Sequence, residues 1–158
     1  MRLYVLRHAI AEEGAGKPDR ERRLTGVGRE KLARVLDRAR GRDVRPERIL
    51  TSPYPRALET ARLAQSALGA ASPLVETEKL VPDASLRELL EELRENADVG
   101  ALLLVGHNPL LSDLVAGLTG DASLVMKKAA LACLEVDDAH ARAPRATLQW
   151  MITAKTAR

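Results

Sequence analysis

The chain contains no Phe, and one Trp with two Tyr make aromatic residues only 2% of its 158 positions. Without a row of flat side chains there is no platform on which unpaired bases could stack. Cysteine is nearly absent as well. Cys133 stands alone, so an internal disulfide is excluded and nothing argues for an oxidising compartment. Long hydrophobic runs are missing: stretches such as Ala101 to Val105 fall far short of a bilayer's thickness, and the N-terminus opens on a strand pattern rather than a signal peptide. These absences set the expectation of a cytoplasmic protein with no membrane partner. Neither sign of charge dominates. Lys and Arg number 25 against 22 Asp and Glu, a formal +3, which requires no nucleic-acid partner.

What remains is an ordinary folded composition, 46% hydrophobic and 30% charged, in a chain long enough to bury most of its apolar surface as one domain over residues 1–158. Strand and helix patterns alternate without repeats or linkers, which predicts an α/β fold. Leu3 to Leu6 reads as a first strand, followed by a Gly-rich loop from Gly14 to Pro18. Leu32, Val35, Leu36 and Ala39 have the spacing of one buried helical face. Arg48 to Thr51 reads as a second strand; Pro53 and Pro55 sit where a helix starts, and Ala57, Ala61, Ala64 and Leu68 continue it. Leu74 to Leu80 is the expected third strand. Ser85 and Glu88 have capping-box spacing ahead of Leu89, Leu90 and Leu93. Ala101 to Val105 lacks any polar interruption, as expected of a central strand covered on both faces. Asn108 and Pro109 then open a helix. Two last strands, about Leu131 to Val136 and Ala146 to Ile152, are joined by a link too short for a crossover helix and are expected to be antiparallel.

Polar groups recur where the apolar runs end. Arg7 and His8 close the first run, and Arg56 and His107 follow later ones. Open α/β sheets bind ligands beyond the carboxyl ends of their strands. These residues therefore share a site if the strands ending at Leu6 and Val105 are neighbours, an adjacency that spacing alone leaves open. The helix start at Asn108 and Pro109 adds N–H groups and a positive dipole end beside His107, which makes Asn108 a phosphate-binding candidate. The set points to phosphoryl chemistry. Arg7 and Arg56 offer planar forks that match phosphate oxygens. His8, neutral near pH 7, can attack phosphorus if its other nitrogen is held by an acceptor. His107 would donate to an equatorial oxygen of the transferring group. Two Arg and one His supply the positive charge, so neither metal nor cofactor is expected.

Each residue taken alone has a plainer reading. Arg7-His8 could be a surface pair and His107 a packed histidine; only the order of the three segments favours a site. Cys133 reads as core, and His140, in a polar loop without partners at metal-site spacing, as solvated. The loop from Gly14 to Lys17 does not fit a nucleotide-binding P-loop, since Pro18 follows Lys17. The basic residues gathered between Arg20 and Arg48 read as a solvated helix face or as a face toward an anionic partner.

Three segments carry a family resemblance. Leu6-Arg7-His8-Ala9, Thr51-Ser52-Pro53-Tyr54-Pro55-Arg56-Ala57-Leu58-Glu59-Thr60 and Val105-Gly106-His107-Asn108-Pro109 stand in the order and spacing of the histidine phosphatase superfamily, the phosphoglycerate-mutase-like proteins. The chain resembles that family over essentially its whole length, and its small size and Arg23-Leu24-Thr25-Gly26-Val27-Gly28 segment are most similar to the bacterial SixA-type phosphohistidine protein phosphatases. The resemblance implies a three-layer α/β/α sandwich around a mostly parallel mixed sheet of about six strands, with His8 as nucleophile and Arg7, Arg56 and His107 completing the phosphate pocket. Ala9 stands where many members have Gly. Larger relatives carry a carboxylic general acid on a lid inserted after the third strand, whereas here Lys79 leads into the next helix within a few residues. Glu78 and Asp83 are the nearby proton-donor candidates, each also readable as a plain strand or turn residue.

The missing lid bears on the substrate. Alkoxide leaving groups benefit from a general acid by about 10²- to 10⁴-fold; a departing imidazole needs little help. An open site also admits a residue carried on another protein's surface. The expected function is hydrolysis of phosphohistidine on a partner such as a His-containing phosphotransfer domain or phosphocarrier, through phospho-His8, with inorganic phosphate as product. A small-molecule phosphomonoesterase or mutase using the same pocket is the alternative. A non-catalytic phosphate-binding module is the third.

Overall fold

The computed structural model describes residues 1–157. A six-stranded sheet in the order β3-β2-β4-β1-β5-β6 forms its centre. β1 (Arg2–Arg7), β2 (Arg48–Thr51), β3 (Leu74–Glu76) and β4 (Ala101–Gly106) run parallel. β5 (Leu131–Val136) runs antiparallel to β1, and β6 (Ala146–Ile152) antiparallel to β5. The sheet is thus mixed and mostly parallel, as the resemblance implies.

Burial of both faces explains why Leu3 to Leu6 of β1 and Ala101 to Val105 of β4 are apolar without interruption. Tyr4 and Leu6 of β1, with Leu103 and Val105 of β4, join a core that also takes Leu32, Val35 and Leu36 of α1 (Gly26–Arg40) and Ala57, Ala61 and Ala64 of α2 (Pro55–Ala67). Leu3, Val5, Leu102 and Leu104 point the other way. They pack with Leu89 and Leu93 of α3 (Leu86–Glu95) and with Leu111, Leu114 and Leu118 of α4 (Leu110–Thr119). Two helices on each face of one sheet make three layers. Each fully buried Leu contributes about 1.5–3 kcal/mol to holding them together.

Helix starts follow from local chemistry. Thr25 Oγ1 accepts from Gly28 N at 2.9 Å at the head of α1, Pro55 occupies the first turn of α2, and Ser85 with Glu88 completes the expected capping box of α3. Gly28 is required for a second reason: a Cβ there would stand 2.2 Å from the Ile10 carbonyl oxygen. That carbonyl accepts from Thr25 N at 3.0 Å, so the segment after β1 and the start of α1 are held together through a contact only Gly permits.

Two boundaries differ from expectation. β3 ends at Glu76 rather than Leu80, because Thr77 N donates to Thr51 O and Thr77 Oγ1 then accepts from Lys79 N, turning the chain into a short 3-10 turn at Glu78–Leu80. The turn lets Leu80 enter the core beside Leu89 and Leu111, which a continued edge strand could not do. α4 begins at Leu110, one residue after Pro109, with Asn108 Oδ1 accepting from Ser112 N and Ser112 Oγ.

Candidate active site

The sheet order settles the adjacency that spacing left open. β1 pairs with β4 in the register Leu6 to Val105 and Arg7 to Gly106, so the next residues, His8 and His107, leave the sheet side by side. β4's other neighbour is β2, whose Thr51 pairs with Val105. His8 N donates to Gly106 O and Ser52 N to Val105 O, both at 3.0 Å, extending the ladders by one rung on each side of His107. His8, His107 and Ser52 are therefore fixed by backbone bonds at three adjacent strand ends. All three are buried, and the imidazole centroids lie 5.0 Å apart.

The orientation of each ring is set by its partners. His8 Nδ1 lies 2.7 Å from the Ala9 carbonyl oxygen, which can only accept; Nδ1 carries the proton and Nε2 the free lone pair. Ala9 is itself anchored, its N donating to Thr60 Oγ1, which donates to Arg56 O at 2.7 Å. The Ala9 methyl is wholly buried in the core, so the side chain where many relatives carry Gly is accommodated. His107 Nε2 lies 2.9 Å from Ser52 Oγ. The Tyr54 and His107 ring centroids lie 5.3 Å apart in an edge-on arrangement, and the Arg20 and Arg56 guanidiniums stand 5.2 and 5.3 Å from the Tyr54 centroid.

Two guanidiniums complete the cluster. Arg7 Nη1 donates to Met126 O at 3.1 Å. Arg56 is placed differently from the strand-end position expected: it lies in the first turn of α2, buried, with Nη1 on Asp19 O at 2.6 Å and Nη2 on Asp19 Oδ2 at 3.1 Å. Among the described residues, the buried side-chain nitrogens and oxygens with no hydrogen-bond partner are Arg7 Nε, Arg56 Nε and His107 Nδ1. Burying an unsatisfied polar atom costs roughly 1–3 kcal/mol. All three belong to residues close to His8, so an acceptor-rich group bound beside it could satisfy them.

Burial governs the electrostatics. It pushes His8 down to about 4, opposed by the bond to Ala9 O and reinforced by Arg56 and Arg7. His107 is pushed to about 2 by burial and then by His8 and Arg56, with Asp19 opposing. Burial lowers Arg7 as well. Both imidazoles are neutral near pH 7 beside two cations. No group of three or more His, Cys, Asp or Glu able to hold a metal exists among the described residues.

Residues 3–81 match the histidine phosphatase superfamily, branch 1. The chain belongs to that superfamily. Phosphohistidine phosphatase SixA of Escherichia coli is 27% identical over 156 residues, covering 97% of this chain and 94% of its own. An uncharacterized protein of a Picosynechococcus strain is 36% identical over 138 residues, 83% of this chain and 82% of that one. The solved structure of the protein histidine phosphatase SixA complexed with tungstate is 25% identical, covers 100% of both chains and superposes with a TM-score of 0.90.

Within this histidine phosphatase fold the other sequence candidates take lesser places. Asn108 lies at the site's edge, but its side chain is engaged: Nδ2 donates to Met126 O at 2.8 Å and Oδ1 accepts from Ser112. One Nδ2 hydrogen is left over by these bonds, and with the main chain it is what Asn108 can offer an anion. Glu78 and Asp83 are exposed, and no hydrogen bond or ion pair links either to the four clustered residues. Ser52, Tyr54 and Thr60 lie inside the second motif, yet sequence reasoning gave them no role. Asp19 belongs to no motif and is tied to Arg56 across 37 residues.

Proposed function

We propose that this superfamily member hydrolyses phosphohistidine carried by a partner protein, with His8 as nucleophile and Arg7, Arg56 and His107 binding the phosphoryl group. Three residues around His8, namely Arg7, Arg56 and His107, each keep a buried nitrogen without a partner while His8 Nε2 is free, and this carries the proposal. E. coli SixA bears the name phosphohistidine phosphatase, and the solved SixA holds tungstate, a tetrahedral oxyanion shaped like phosphate. Both support this reading.

In the first step His8 Nε2 bonds to phosphorus as the P–N bond to the substrate imidazole breaks, its electron pair returning to that ring. A substrate ring protonated at its other nitrogen departs neutral. The Nδ1–H of His8 stays on Ala9 O, so phospho-His8 is cationic and a good leaving group in its turn. Water then attacks phosphorus, giving inorganic phosphate and neutral His8. Arg7 and Arg56 draw charge from the equatorial oxygens in both steps. Ser52 Oγ accepts from Tyr54 N at 3.2 Å and, donating its own proton to His107 Nε2, leaves the His107 proton on Nδ1, the unpartnered atom that would meet an oxygen.

The acid–base inventory favours an imidazole leaving group over an alkoxide. The carboxylate in contact with the cluster is Asp19. Partial burial raises its pKa, but hydrogen bonds from Arg22 and Arg56 outweigh that and hold it below the usual range, so it has no proton to give. The test is kcat/KM on a phosphohistidine peptide against a panel of sugar and glycerate phosphates. A preference for the peptide is expected; faster turnover of the esters would establish the small-molecule reading instead.

A further inference from the structure

Beside the catalytic cluster the chain forms an open cavity of about 710 Å³ whose charged lining residues are Arg7, Lys31, Arg34, Lys127, Lys128 and Lys155. No Asp or Glu lines it. Such a one-sided lining is not inherited from composition, since the whole chain is nearly balanced at 25 basic to 22 acidic residues. It is assembled by the fold. Arg7 comes from the end of β1, Lys31 and Arg34 from successive turns of α1, Lys127 and Lys128 from the segment before β5, and Lys155 from the segment after β6. None of the six is ion-paired with a carboxylate among the described residues. Elsewhere on the surface Arg2, Lys17 and Lys79 all have such partners. Keeping like charges unpaired and close costs stability, which a partner of opposite charge would recover.

Resting on the proposed function, we infer that this basic face docks an acidic surface surrounding the phosphohistidine of the partner protein. Arg7 makes the face continuous with the catalytic cluster, since it both lines the cavity and belongs to the proposed phosphate-binding set. A partner seated there delivers its phosphohistidine to His8. The geometry suits a protein surface rather than a second small anion. Arg34, Lys127, Lys128 and Lys155 are exposed, and the unsatisfied buried cationic nitrogens are confined to Arg7 and Arg56. A built pocket for a second phosphate would hold buried, fixed donors. No aromatic residue lines the face to stack a base, which disfavours single-stranded nucleic acid. Exposed charges of this kind act mainly on encounter, raising association by about 10- to 1,000-fold at low ionic strength and losing that gain as salt is added.

The test uses two synthetic phosphohistidine peptides, one flanked by Asp and Glu and one by Ser and Gln, with phosphoimidazole as a substrate that has no flanks. The acidic peptide is expected to exceed the neutral one at least tenfold in kcat/KM at low salt, with the ratio falling toward one as ionic strength rises. The ratio should also collapse in Arg34→Glu/Lys127→Glu/Lys155→Glu. Because it is taken within each protein, it is insensitive to a general loss of activity, and the salt series on the unaltered chain needs no variant. Equal kcat/KM for the two peptides overturns the docking inference while leaving the proposed function intact. So does a ratio unchanged in the triple variant, or stronger competition by a DNA duplex than by the acidic peptide. Failure to hydrolyse all three substrates overturns the proposed function itself.

Discussion

Ser52 Oγ stands 2.9 Å from His107 Nε2, joining the ends of the neighbouring strands β2 and β4. The bond ties a buried hydroxyl to a buried imidazole whose other nitrogen has no partner. Ser52→Ala leaves both His107 nitrogens unsatisfied and its proton free to sit on either. We expect a stability loss of about 1–3 kcal/mol and a fall in kcat/KM of roughly tenfold or more, through a misplaced donor. A purely structural role would cost stability alone. Nitrogen NMR of His107 separates the two, since the proposed role requires the tautomer population to change in the variant.

Arg56 makes two contacts with Asp19 through different nitrogens and still keeps Nε unpartnered as a third donor. A lysine cannot do all three. Hydrogen bonds to charged groups contribute about 1.5–3 kcal/mol each, so Arg56→Lys should lower kcat/KM by roughly 10- to 100-fold. Steady-state kinetics on phosphoimidazole checks this, with a melting curve to confirm the fold.

Gly28→Ala tests the fold on which the site stands. The added Cβ meets the Ile10 carbonyl oxygen at 2.2 Å, and a backbone atom held by Thr25 cannot swing aside. Overpacking typically costs about 1–3 kcal/mol, and a backbone collision belongs at the upper end. A reduced urea midpoint with an unchanged m-value is the expected result. Gly26→Ala is the control, because a Cβ there meets nothing within 4 Å.

Much of this architecture is legible in the amino-acid sequence, and the gaps have physical causes. The runs Leu3 to Leu6 and Ala101 to Val105 stand out because both faces of β1 and β4 are buried. Which strand lies beside which is a long-range matter that apolar patterning does not encode. The meeting of His8 with His107 becomes visible only through the register of β1 on β4. Leu74 to Leu80 resembles one strand because its apolar ends look alike; the break comes from the Thr77 side chain capping its own turn. Ser52 is hidden for the same reason as the histidine pair, since its role depends on β2 lying against β4. Asp19 opens a single short 3-10 turn, Asp19–Glu21, where no periodicity singles out one carboxylate from its neighbours.

The pH dependence has a defined sign. His8 has a folded-state value of about 4 against an unfolded value of 6.5, so between those limits the unfolded chain binds the extra proton. The stabilisation from a neutral His8 is complete above pH 6.5 and is lost as pH falls toward 4, on the order of 3 kcal/mol for this group. His107 acts in the same direction over a window reaching to about 2. Denaturation at pH 7 and pH 4.5 should therefore show lower stability in acid, and tungstate should restore part of it by favouring the protonated rings. Proton NMR of either ring titrating near pH 6.5 in the folded protein would contradict the burial argument.

The proposed reaction turns on a covalent bond between phosphorus and His8 Nε2. Rapid-quench reaction with a phosphohistidine protein carrying radiolabelled phosphate tests it directly. Label that is stable in base, labile in acid, mapped to the peptide containing His8 and absent from His8→Asn is the predicted result. Rapid release of phosphate with no label on the protein at any quench time, or turnover retained in His8→Asn, would contradict it.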